Sequence, residues 1–172
     1  MLAAAAVLGE SFGTPELEVV SGRSAEVLEQ TLDDAVAAGL IEDLGAGRHR
    51  FAHALTRDAV YAGLGASRRA RLHRAAADAL ATRYGLEQGP RLAEIALHRC
   101  AGAADGSDVE AAVELAERAA DWALERDAYE QAVTLLTRAL KLLTDADVER
   151  RRRITRTRAI AYARLTHALW DS

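Results

Sequence analysis

Apolar and small residues recur along most of this chain at intervals of three and four, the period of a helix with one buried face. Val109, Ala112, Val113, Ala116, Ala119, Ala120 and Ala123 share one such face. Tyr129, Ala132, Val133, Leu136, Ala139, Leu140 and Leu143 share the next. These faces predict helices over about 109–126 and 128–143. A last helix, about 147–170, carries Ile154, Ala161, Leu165 and Leu169, with Trp170 beside them. No later segment covers that face, so it folds back on the chain or pairs with a second copy. Further helices are expected over about 53–64, 67–84 (with Ser67 as N-cap) and 90–101. The glycine-bearing stretches GLEQGP and GAADGSD separate them as loops.

The first third has a shorter rhythm. An apolar helix runs from Met1 to about Gly9. Thr14 is the expected N-cap of a second helix, with Pro15 at its first position and Gly22 closing it. A third starts at Ser24, has Val27, Leu28, Thr31, Leu32, Ala35 and Val36 on one face, and stops at Gly39. Two extended pieces, about 40–43 and 48–51, flank the turn Gly45-Ala46-Gly47 and predict a β-hairpin. Three helices and a hairpin are the order of a winged helix-turn-helix. The expected fold is mainly α: a winged-helix domain over 1–64 with a small hairpin wing, then antiparallel helical repeats over 65–172.

Composition agrees with a helical chain. Half of the 172 residues are hydrophobic but only 5% are aromatic, and there are two prolines. Alanine supplies much of the apolar content, favours helix and lets helices approach closely. The net charge of −4 argues against a general coat for nucleic acid. One cysteine, Cys100, allows no internal disulfide and no cysteine-based metal site, which fits a reducing cytoplasm. No apolar run is long enough for a membrane span.

The segment DAYEQAVTLLTRAL resembles the second half of a tetratricopeptide repeat. Tyr129, Ala132, Leu136, Ala139 and Leu140 fall where its helices cross. The first-helix positions are here mostly alanine (Ala116, Ala119, Ala120), so the repeat is degenerate. Together with AAGLIEDLGAGRHRFAHALTRDAVYAGLGASRRARLH and IALHRCAGA, the chain resembles the middle of large bacterial STAND-type signalling ATPases. These include the long LuxR-type transcriptional regulators and the ATPase segments attached to some adenylate cyclases. The F-x-H-x-L-x-R-x-A-x-Y element carries most of that likeness.

The resemblance implies a regulatory coupling and protein-interaction module rather than an enzyme. It would lie between a P-loop nucleotide-binding domain and further helical repeats. No G-x-x-x-x-G-K-[ST] occurs, so ATP or ADP is expected only if a P-loop domain stands upstream in the same protein. In the family, a histidine at the wing–helix junction contacts the β-phosphate of ADP. His53 matches that junction, and Arg57 lies one turn on. The other reading of His53 is a helix cap or a filler of the corner. Neither His53, Arg57 nor Tyr61 has a nucleophile beside it by local spacing, so no catalytic residue is assigned. A polar seam is expected there instead.

Two basic stretches remain. Arg68, Arg69, Arg71 and Arg74 form a candidate docking patch for an acidic partner or a phosphate, or else a solvated face. The run ERRRRITRTR, 149–158, reads as surface charge that Asp145, Asp147 and Glu149 could pair. His49, His73, His98 and His167 show no ligand spacing, and no metal is assigned. A free-standing DNA-binding regulator with a dimerising helical tail is the alternative reading. Against it, the reading helix would carry Glu26, Glu29, Asp33 and Asp34 and no base, so no direct DNA binding is expected. Protein partners through the helical repeats, no membrane, and a homodimer through the last helix complete the expectations.

Overall fold

The computed structural model describes residues 1–87, 89–104 and 106–170, without the side chain of Leu169. The chain is mainly helical, with one small antiparallel sheet. It divides into two compact units, Met1–Arg83 and Tyr84–Ser172.

In the first unit the order is α1 (Leu2–Leu8), β1 (Ser11–Gly13), α2 (Thr14–Ser21), α3 (Ala25–Ala37), β2 (Ile41–Gly45), β3 (Arg48–Phe51), α4 (Ala54–Ala62) and α5 (Ala66–Tyr84). Four of the seven residues of helix α1 are alanine, and Ala4 to Leu8 are buried. Small side chains let α2 and α4 pack directly on it. The hairpin forms where expected, and its turn is left-handed throughout: Gly45 at φ 80°, Ala46 at 51° and Gly47 at 69°. Glycine adopts that backbone freely, whereas Ala46 costs about 1 kcal/mol.

The sheet has three strands, in the order β1-β3-β2. The sequence reading holds only the hairpin. Strand β1 is three residues long and has no alternating pattern, so its chemistry shows only in its partners. Phe12 lies opposite His49, and their rings stack at 5.8 Å. Phe51 meets Phe12 edge-on. These rings continue into a core of Leu17, Leu28, Leu32, Ile41 and Phe51. Truncating a core leucine such as Leu28 to alanine would cost about 2–5 kcal/mol.

Three local expectations are corrected. Helix α2 is capped by Gly13, not Thr14. The Thr14 hydroxyl instead donates to the Gly47 carbonyl at 3.1 Å and ties α2 to the hairpin turn. On α3 only Leu28, Leu32 and Ala35 are buried, while Val27 and Val36 are exposed. Ser67 lies inside α5, which begins at Ala66. Helix α5 also belongs with the first unit, since Leu72, Ala76 and Ala79 join the same buried cluster as Phe12. The division between the two compact units falls after Arg83.

The second unit holds α6 (Leu92–Gly102), α7 (Gly106–Leu124), α8 (Tyr129–Leu142) and α9 (Val148–Trp170). Each packs on the next, and α6 also reaches α8. Ala112, Ala116, Ala119, Ala120 and Ala123 of α7 are all buried. Opposite them lie Ala132, Leu135, Leu136 and Ala139 of α8. The connection between α7 and α8 turns at Asp127, φ 57°, where a short polar side chain tolerates the left-handed region. Tyr129 and Leu140, expected at the crossing, are half-buried.

Helix α9 finds its partner inside the chain. Ile154 and Ala161 are buried, and α9 packs on α8. Leu165 is half-buried, Trp170 is exposed, and the Leu169 side chain lies outside the described residues. Among the described residues no helix is long and apolar enough to cross a membrane.

Candidate functional site

Helices α4 and α5 meet at Tyr61. The Tyr61 hydroxyl and His73 Nε2 share a hydrogen bond of 2.8 Å. The two rings pack edge to face at 5.8 Å. The Arg69 guanidinium lies 4.7 Å from the Tyr61 ring centre and donates to the Leu64 carbonyl at 2.9 Å. Arg57 approaches the same ring at 5.5 Å. Its Nε donates to the Ala6 carbonyl of α1 at 3.2 Å, and its Nη1 pairs with Asp58 at 3.0 Å. A cation over an aromatic face is attracted by the ring's electrons, worth about 0.5–2 kcal/mol. The corner is therefore a rigid polar seam among α1, α4 and α5.

Sequence spacing foresees half of this seam. Arg57 and Tyr61 are four residues apart on α4. Arg69 and His73 are four apart on α5 and were not joined to them. The signal was available: two such pairs flank a connection of only three residues, 63–65, which brings the helices face to face.

His53 stands outside the seam. It is the N-cap of α4, with extended backbone, and its side chain makes no capping bond. Its carbonyl accepts from the Thr56 and Arg57 amides, while its ring is exposed. The cap position of the backbone is met, but the imidazole neither caps the helix nor fills the corner. It stands at the end of α4 that carries free amide groups, a place that suits an anion.

The four arginines of α5 do not act together. Arg69 belongs to the Tyr61 seam, and Arg74 is half-buried with interactions of its own. Arg68 and Arg71 are exposed and open on a cleft of about 340 Å³ between α1, the end of α2 and α5. Arg23 joins them from just past the α2 cap, where Gly22 sits at φ 66°.

The second basic run is surface charge in part: Arg152, Arg153 and Arg156 are exposed, whereas Arg150 and Arg151 are drawn into the fold. Arg150 donates to Glu117 through Nε at 2.9 Å and Nη2 at 2.7 Å, and also pairs with Glu110. Arg153 takes the other Glu117 oxygen at 2.8 Å. Arg151 donates to the Leu143 carbonyl at 2.7 Å, at the open end of α8. Only Arg152 pairs as expected with a nearby acid, Glu149. Asp147 instead accepts from the Thr144 amide and hydroxyl, both at 2.8 Å. Those bonds, the hydroxyl first, hold its carboxyl below the usual range.

Two buried titratable groups lie on α6. Burial pushes His98 down to about 4. Burial also pushes the Cys100 thiol up to about 11, against a smaller pull from Arg138. A thiol so placed stays protonated near neutrality and is a poor nucleophile. Among the described residues no group of three His, Cys, Asp or Glu stands together as a metal site.

No protein-family profile, no curated protein and no solved structure matches the chain.

Proposed function

We propose that this chain is a non-catalytic regulatory coupling and protein-interaction module, of the kind found in STAND-type signalling ATPases and LuxR-type regulators. In this reading the first unit is a winged helix and the second a degenerate tetratricopeptide-like pair with its following helix. The observation that carries it is His53: an exposed, unbonded imidazole on the N-terminus of α4, beside a seam that keeps α4 rigid. An imidazole N–H there can donate to a phosphate of a nucleotide held by a neighbouring P-loop domain. Nucleotide state then sets how the winged helix rests on that domain, and partners bound by the helical repeats bias the balance.

The DNA-reading alternative meets a specific obstacle. The exposed face of α3 presents Glu26, Glu29, Asp33 and Asp34. In the wing, Arg50 is already paired with Glu42 at 2.5 Å. That leaves Arg48 to offset four carboxylates, against a ligand whose affinity rests on phosphate neutralisation. The reading is tested first by the coding sequence ahead of Met1. An in-frame P-loop domain is expected there, and a stop codon in frame would remove the nucleotide from the account.

A further inference from the structure

Charge is unevenly used in the first unit. Arg50, Arg57 and Arg83 have acidic partners at 2.5, 3.0 and 3.2 Å. Arg23, Arg68 and Arg71 have none among the described residues, and all three line one concave surface. No Asp or Glu contributes to its wall. Leu72 and neighbouring alanines form the apolar floor, and Ser21 adds a hydroxyl at the rim.

This arrangement is costly without a ligand. Arg68 stands in the first turn of α5, where the helix dipole disfavours a cation and no acidic residue compensates. Arg68 and Arg71 are one turn apart on the same helix, so their like charges repel. Arg23 approaches from the opposite wall. Such a field in a cleft attracts an anion, and guanidinium forks match phosphate oxygens in pairs.

We propose that the cleft bounded by Arg23, Arg68 and Arg71 binds the oligophosphate group of a soluble small molecule. Three forks suit two or more linked phosphates better than one. The volume, about 340 Å³, is at the small end of ligand pockets and favours the charged group over a large organic body. The site stands on the cleft alone. It is on different residues from His53 and does not require an upstream P-loop domain.

The experiment is calorimetric titration of the whole chain with inorganic orthophosphate, pyrophosphate and tripolyphosphate at about 0.15 M salt. Saturable binding is expected, tightening from orthophosphate to tripolyphosphate. Arg68→Ala with Arg71→Ala should weaken tripolyphosphate at least about tenfold, and Arg48→Ala, the same kind of charge loss on β3, should stay within about twofold. Arg23→Gln gives a second reading if the double variant fails to fold, and it too should weaken binding. No saturable binding would overturn the proposal, as would equal loss in Arg48→Ala. Equal affinity for hexaglutamate would also overturn it, since the cleft would then be reading charge and not phosphate.

Discussion

Glu117 of α7 receives Arg150 of α9 through two donors on one carboxylate oxygen, at 2.9 and 2.7 Å, while Arg153 occupies the other oxygen. Both Arg150 and Glu117 side chains are less than one-fifth exposed. The pair spans 33 residues and ties α9 to α7 through side chains. Charge-assisted forks of this kind are worth more than open surface pairs. Glu117→Gln should therefore destabilise the second unit by about 1–3 kcal/mol. Arg152→Ala, on the solvent side, should change it by less than about 0.5 kcal/mol. Both tryptophans, Trp122 and Trp170, lie in this unit, so urea titration followed by their fluorescence reads the difference.

His98 makes the second unit sensitive to acid. The unfolded imidazole takes its proton near 6.5, whereas the buried one resists until about 4. Between those values the unfolded state binds more protons, so stability falls as pH drops through the window and is unaffected by His98 above it. The full loss is about 3 kcal/mol once pH passes below 4. His98→Gln should flatten the wild-type slope between pH 6.5 and 4. The check is the difference between the two proteins in urea midpoint at several pH values, because carboxylates titrate alike in both.

Tyr61 and His73 test the seam. Tyr61→Phe keeps the ring under Arg57 and Arg69 but removes the hydroxyl and leaves His73 Nε2 without it. A loss of about 1 kcal/mol is expected. Tyr61→Ala removes the ring as well and should cost at least about 2 kcal/mol more. The first unit contains no tryptophan, so amide hydrogen exchange in α4 and α5 is the suitable readout.

The acidic face of α3 predicts how the chain meets DNA. Fluorescence anisotropy with a random duplex should show no saturable binding at about 0.15 M salt, and little gain at lower salt. A steep salt-dependent affinity lost in Arg48→Ala would support the first unit as a DNA reader.

The helices were legible because their apolar faces repeat over many turns, as in Ala112 to Ala123 and Ala132 to Leu143. The hairpin was legible from Gly45-Ala46-Gly47, which permits the tight turn. Strand β1 was not, because three residues of SFG carry no period and depend on β3 for their bonds. The Thr14 cap misled because its hydroxyl has a better partner in Gly47, far along the chain. The arginine run was legible only in part, for the same reason. The acids that take Arg150, Glu110 and Glu117, lie more than 30 residues away, and only the packing of the second unit brings them near. The seam was half legible, since each helix shows its own pair but only packing joins Tyr61 to His73.

The most direct measurement of the proposed coupling is ADP release from a protein carrying this chain behind its P-loop domain. Wild type and His53→Ala would be loaded with a fluorescent ADP and chased with unlabelled nucleotide. Loss of one charge-assisted or dipolar contact to phosphate predicts release faster by about tenfold in His53→Ala. Stability of the first unit should be unchanged, since the imidazole makes no bond within it. Equal release from both proteins would contradict His53 as the link between nucleotide and the first unit.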